Sequence, residues 1–187
     1  MNEIKDTIGY ADYSWNPITG CLNGCEYCYA RKLANGRLRS RYLESGPCEY
    51  MSTEAEYDPF YPRFWPERMD DFEKPNRYGY ARLVKPKRIF VCDMGELFGD
   101  WIPTEWQEQI FDVIKRYQGY TFLLLTKQPQ NLPKWSPFPD NCEVGVSVTQ
   151  NNQLSNAFKY LSQIEATVKF ISFEPLLEKE ATDGQQT

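Results

Sequence analysis

The chain has 187 residues, 41% apolar and 16% aromatic, with a formal net charge of −5. That length supports one domain with a sizeable core, and the acidic balance excludes a general nucleic-acid binder, leaving only a local basic patch for such a role. No apolar run approaches membrane-spanning length and the N-terminus lacks the charged-then-apolar signal pattern, so a cytoplasmic protein away from the membrane is expected.

In chain order, Ile8–Trp15 alternates weakly and predicts a first strand, closed by the turn signal Asn16-Pro17. Cys21, Cys25 and Cys28 follow in a loop whose Gly20, Asn23 and Gly24 permit positive φ and close wrapping. Three thiols within eight residues select Zn, Cu(I) or an iron–sulfur cluster, and in a cytosolic setting they favour metal over disulfides. The chain has no histidine, which excludes mixed Cys/His zinc motifs and every histidine acid–base scheme. Three thiolates leave two readings. One is a zinc site closed by Cys48, Cys92 or Cys142, and the other is a cluster with one open iron.

A short helix is expected from about Glu26 to Ala34, stopped by Asn35-Gly36. Arg31, Lys32, Arg37, Arg39 and Arg41 read either as a solvated face or as a patch that meets an anion. Residues 42–86 are rich in aromatics and prolines. They predict a packed insertion with short helices, one near Pro66–Phe72.

Arg88–Cys92 is a strand, followed by the loop Asp93–Gly99. Thr104-Glu105-Trp106-Gln107 reads as a capping box that opens an amphipathic helix, with Gly119 ending it. Thr121–Thr126 is a continuous apolar strand. A proline-rich crossover leads to the strand Glu143–Val148, then a helix carries Leu154, Phe158, Leu161 and Ile164. Val168–Phe173 is the last strand, and a polar tail runs over 178–187. Continuous apolar strands alternating with helices predict an α/β fold with a parallel sheet. The cysteine loop, Asp93 and Glu96, Thr126 and Lys127, Ser147 and Thr149, and Glu174 all fall at C-terminal strand ends, where such folds bind ligands.

Cys21-x₃-Cys25-x-Tyr27-Cys28 after the first strand resembles the radical S-adenosylmethionine (SAM) superfamily. In more detail the chain resembles a phage-associated family of uncharacterised proteins with this three-cysteine motif. That resemblance runs through Trp15-Asn16-Pro17, Gly24–Ala30, Met94–Phe98, Leu124–Pro129, Gly145–Val148 and Ser172–Leu177. It implies a single domain over 1–187, built as a partial, open TIM-type barrel of five parallel strands with flanking helices. By the same resemblance, Cys21, Cys25 and Cys28 would hold a [4Fe-4S] cluster whose open iron binds SAM. An electron from a small donor such as flavodoxin or ferredoxin would then yield a 5′-deoxyadenosyl radical. Met94-Gly95-Glu96 resembles the amino-group-binding Gly-Gly-Glu loop, with Gly95 and Glu96 on the SAM ammonium. Ser147 matches a ribose contact and Tyr27 an adenine contact. Glu174, Lys127 and Cys92 are the candidate catalytic residues. The substrate is not legible, and a nucleic acid or nucleotide is suggested by the basic run. The alternative is a non-catalytic metal-binding protein that contacts nucleic acid.

Overall fold

A computed structural model describes residues 1–4, 9–44, 53–74 and 87–177. A six-stranded sheet organises the chain, in the order β1 (Asn2–Glu3), β2 (Tyr13–Trp15), β5 (Arg88–Val91), β6 (Thr121–Thr126), β7 (Cys142–Ser147) and β8 (Val168–Ser172). β2, β5, β6, β7 and β8 are parallel neighbours, and β1 adds an antiparallel edge to β2. The expected α/β class with a parallel sheet is therefore observed.

Period-two alternation assigns the two faces. Ile89, Val91, Phe122, Leu124, Val144 and Val146 join one core with α4 (Thr104–Arg116) and α5 (Leu154–Leu161). α4 contributes Trp106, Ile110, Val113 and Ile114, at helical spacing, and α5 contributes Ala157 and Leu161. Phe122, Ile110 and Ile114 are fully buried, each stabilising by about 1.5–3 kcal/mol. Phe90 and Leu123 are buried on the opposite face of the sheet.

The insertion builds a second, smaller layer. It contains α2 (Arg39–Glu44), α3 (Thr53–Tyr57) and β4 (Arg63–Phe64), which pairs antiparallel with β3 (Ile18–Thr19). With α1 (Tyr29–Asn35) it forms a distinct cluster of Ala30, Ala34, Tyr42, Phe60, Trp65 and Met94, against which Cys21 and Cys28 pack.

Several expectations are corrected. The first parallel strand is only Tyr13–Trp15, since residues 9–10 turn; Ile8 lies outside the described residues. The helix near Pro66–Phe72 is a 3-10 turn at Pro66–Arg68 with further turns after it. The proline-rich crossover is itself 3-10 helical over Pro129–Trp135. The capping box does not form. Pro103 occupies the N-cap, Thr104 Oγ1 accepts from Lys134 Nζ at 2.7 Å, and Gln107 Nε2 donates to the Leu97 carbonyl at 2.7 Å. α4 ends at Arg116 with Tyr117 as its C-cap, before Gly119 is reached. The polar tail and Cys48 lie outside the described residues.

Candidate functional site

The cysteine loop is held from three sides. From below, Gly20 donates its N–H to the Met94 carbonyl at 2.9 Å, and Glu96 donates its N–H back to the Gly20 carbonyl at 3.2 Å. This zips the loop onto the segment after β5. Gly20 has φ +91°, and a Cβ there would sit 2.4 Å from the Tyr61 carbonyl oxygen. Only glycine fits.

The insertion supplies the second side. Cys21 donates its N–H to the Phe60 carbonyl at 3.1 Å. The Arg31 guanidinium donates to the Cys21 carbonyl at 3.0 Å, pairs with Asp58 at 3.3 Å, and lies 4.9 Å above the Phe60 ring. Trp65 Nε1 donates to Thr19 Oγ1 at 2.8 Å. Arg31 therefore braces the loop, while Lys32, Arg37, Arg39 and Arg41 are exposed.

The third side is the strand-end rim. Asn16 is buried; its Oδ1 accepts the Met94 N–H at 2.9 Å and its Nδ2 donates to Asp93 Oδ1 at 2.5 Å. Tyr29 donates its hydroxyl to the Asp93 carbonyl at 2.7 Å. Burial raises the Asp93 carboxyl above its ordinary pKa, against the lowering by hydrogen bonds from Asn16 and Ser14.

Glu96 is the centre of this rim and is 4% exposed. Its Oε1 accepts Thr126 Oγ1 at 2.6 Å and the Phe98 N–H at 3.1 Å. Its Oε2 accepts the Lys127 N–H at 2.9 Å and, at 3.4 Å, the Asn23 amide from the cysteine loop. Asn23 Oδ1 in turn accepts Gln128 Nε2 at 2.5 Å. Burial raises the Glu96 carboxyl above its ordinary value, opposed by these hydrogen bonds and by the Lys127 charge.

The structure thus brings the cysteine loop, Glu96 and Lys127 together. Tyr27 joins them: its phenol lies near Thr149, beyond β7, and the Cys25 thiol, and the Lys127 ammonium lies 5.8 Å from its ring centroid. Ser147 ends β7 and is buried. Gly95 bridges Gly20 in parallel register. Glu174 is exposed beyond β8. Cys92, at φ +59°, has its thiol in the apolar core, where burial pushes its pKa well up. Cys142 is buried at the first residue of β7, at the sheet end away from the cysteine loop.

Sequence reasoning missed Asn16 and Gln128 as rim residues and treated Asn23 and Thr149 too lightly. The available signal was polar side chains beside strand ends in otherwise apolar surroundings.

The donor set suits a thiophilic metal group. Cys21, Cys25 and Cys28 are all half-buried, neither sealed in nor fully solvated. Cys21 Sγ accepts the Asn23 N–H at 3.3 Å, and Cys28 Sγ caps α1 by accepting the Arg31 N–H at 3.3 Å. The Cys21 thiol is pushed up to about 12, by burial first and then by the charges of Glu96, Cys25 and Cys28. Three thiols on one loop and the Glu96 carboxyl beside it can all become anions, and a bound cation relieves that repulsion. Among the described residues, no three Cys, Asp or Glu side chains are gathered into a preformed metal cage.

Fold and site define a mixed α/β protein with its polar side chains collected at the C-terminal rim of a parallel sheet, around a three-cysteine loop. The chain belongs to a family described as "Protein of unknown function (DUF5131)", whose profile matches residues 5–183. No curated protein and no solved structure matches it. Among the described residues, no helix is long and apolar enough to cross a membrane.

Proposed function

We propose that the chain is a radical SAM enzyme in which Cys21, Cys25 and Cys28 hold a [4Fe-4S] cluster and the adjoining rim binds SAM. When bound, these groups supply reductive cleavage of a sulfonium bond and hydrogen abstraction from a substrate. The protein's own contribution is to bind, orient and exclude water. One observation carries the reading: the loop with the three thiols and the buried Glu96 carboxylate are joined through Asn23, at the strand ends where parallel α/β folds bind ligands.

Each rim residue has a role in this reading. A carboxylate offers about four acceptor positions. Three of those on Glu96 are filled by donors at 3.1 Å or less, and the fourth is the long contact to Asn23. That fourth position suits an ammonium group, which charge assistance would hold more tightly than the amide. Tyr27 presents a ring face beside the cysteines, and Ser147 a hydroxyl at the end of β7. Lys127 brings a positive charge to the same rim.

A curved, partial barrel accompanies this reading. Tyr10 precedes β2 and Glu174 follows β8, at opposite sides of the five parallel strands. Burial first, and then the charges of Glu174 and Asp93, raise the pKa of the Tyr10 phenol. An influence of Glu174 on Tyr10 is in keeping with strands that curl toward each other.

The test is anaerobic reconstitution with iron and sulfide, followed by metal and sulfide analysis of wild type and Cys25→Ala. About four irons per chain in the wild type, lost in the variant, is the expected result. Tightly bound zinc in place of iron, or normal iron in the variant, would sink the assignment.

A further inference from the structure

A second feature of the rim lies on the far side of Lys127. A cavity of about 350 Å³ opens between the ends of β6 and β7 and the start of α5, which is the lower end of the volumes that hold small ligands. Its polar lining is Lys127, Gln130, Ser147, Gln153, Asn156 and Tyr160. The lining contains no carboxylate, so its only formal charge is positive.

Lys127 is bound to the fold through its backbone, whose N–H donates to Glu96. Its ammonium forms no ion pair among the described residues. Gln153 is oriented by Thr149, whose N–H (2.8 Å) and hydroxyl (3.2 Å) both donate to Gln153 Oε1. With its oxygen occupied, Gln153 offers its NH₂ as the uncommitted end. Ser147, Asn156 and Tyr160 add a hydroxyl, an amide and a phenol. The cavity is thus donor-rich, singly cationic and free of acids.

We propose that this cavity binds a small phosphomonoester with a hydroxyl-bearing body, the phosphate on Lys127 and the body among Ser147, Gln153, Asn156 and Tyr160. A lysine ammonium serves phosphate as a point charge with three donors, and a dianion gains more from it than a monoanionic carboxylate does. The inference needs no metal, and it shares Lys127 and Ser147 with the rim assigned to SAM. It makes the cavity a ligand site whose lining includes none of the three loop cysteines.

The test is calorimetric titration of the full chain, as purified, with ribose 5-phosphate, ribose and ribonate. Wild type, Lys127→Met, Asn156→Ala and the remote control Lys169→Met are compared, with folding checked by circular dichroism. Ribose 5-phosphate should bind, more weakly as salt is raised, and more tightly than ribonate, with ribose weakest. Lys127→Met should weaken phosphate binding at least about tenfold, Asn156→Ala by a smaller factor, and Lys169→Met not at all. The proposal is overturned if none of the three binds, if ribose matches ribose 5-phosphate, if ribonate binds more tightly than the phosphate, or if Lys127→Met and Lys169→Met behave alike.

Discussion

Thr126 Oγ1 lies 2.6 Å from Glu96 Oε1, so one buried hydrogen bond ties the end of β6 to the loop that follows β5. The bond matters because Glu96 is buried and cannot recruit water to replace it.

Thr126→Val keeps the shape and removes the donor. The expected loss is about 1–3 kcal/mol of stability, because a buried carboxylate is left short of one partner. Thr126→Ser retains the hydroxyl and should cost about 1 kcal/mol or less, the value of a methyl group. Urea unfolding at neutral pH distinguishes them. Equal losses in the two variants would mean that the methyl, not the hydrogen bond, carries the effect.

Asp93 gives a pH signature. Burial raises its folded-state pKa above the ordinary carboxyl value, so the folded chain binds this proton more tightly than the unfolded chain does. The associated stability is fully present below the ordinary pKa and is lost as pH rises through the raised one. Asp93→Asn keeps the acceptor for Asn16 and has no such titration. The stability of wild type relative to Asp93→Asn should therefore fall across that window. A difference that stays flat, or rises, with pH would show that Asp93 is not shifted upward.

Two glycines of the cysteine loop should respond differently to alanine. Both have positive φ, but a Cβ on Gly20 strikes the Tyr61 carbonyl, whereas Gly24 has open space around it. Gly24→Ala should cost about 1–2 kcal/mol from the left-handed backbone alone. Gly20→Ala adds a backbone clash and should cost more, shifting the Gly20–Met94–Glu96 zipper with it. Thermal unfolding of the two variants orders them, and a milder Gly20→Ala would contradict the described packing.

Much of this architecture is legible in the residues. Thr121–Thr126 reads as a buried parallel strand because both faces are buried, Phe122 and Leu124 in the core with α4 and α5 and Leu123 on the opposite face. The helical face of Trp106, Ile110, Val113 and Ile114 is equally plain. What escapes are elements set by partners distant in sequence. β1, β3 and β4 have two residues each and no periodicity to read. Thr104 has the right neighbours for a cap, yet Lys134, thirty residues on, takes its hydroxyl. The site shows the same division. Glu96 is conspicuous as an acid after a strand, whereas Asn16 and Gln128 gain their importance only when the loops meet. Arg31 reads as one of five surface cations, but its contacts to Cys21 and Asp58 make it a brace.

The most direct test of the central claim is electron paramagnetic resonance of the reconstituted, dithionite-reduced protein, recorded with and without SAM. The account predicts a reduced-cluster signal that shifts when SAM is added and that disappears in Cys25→Ala. A cluster signal indifferent to SAM, or no cluster at all in a well-folded chain, would contradict it.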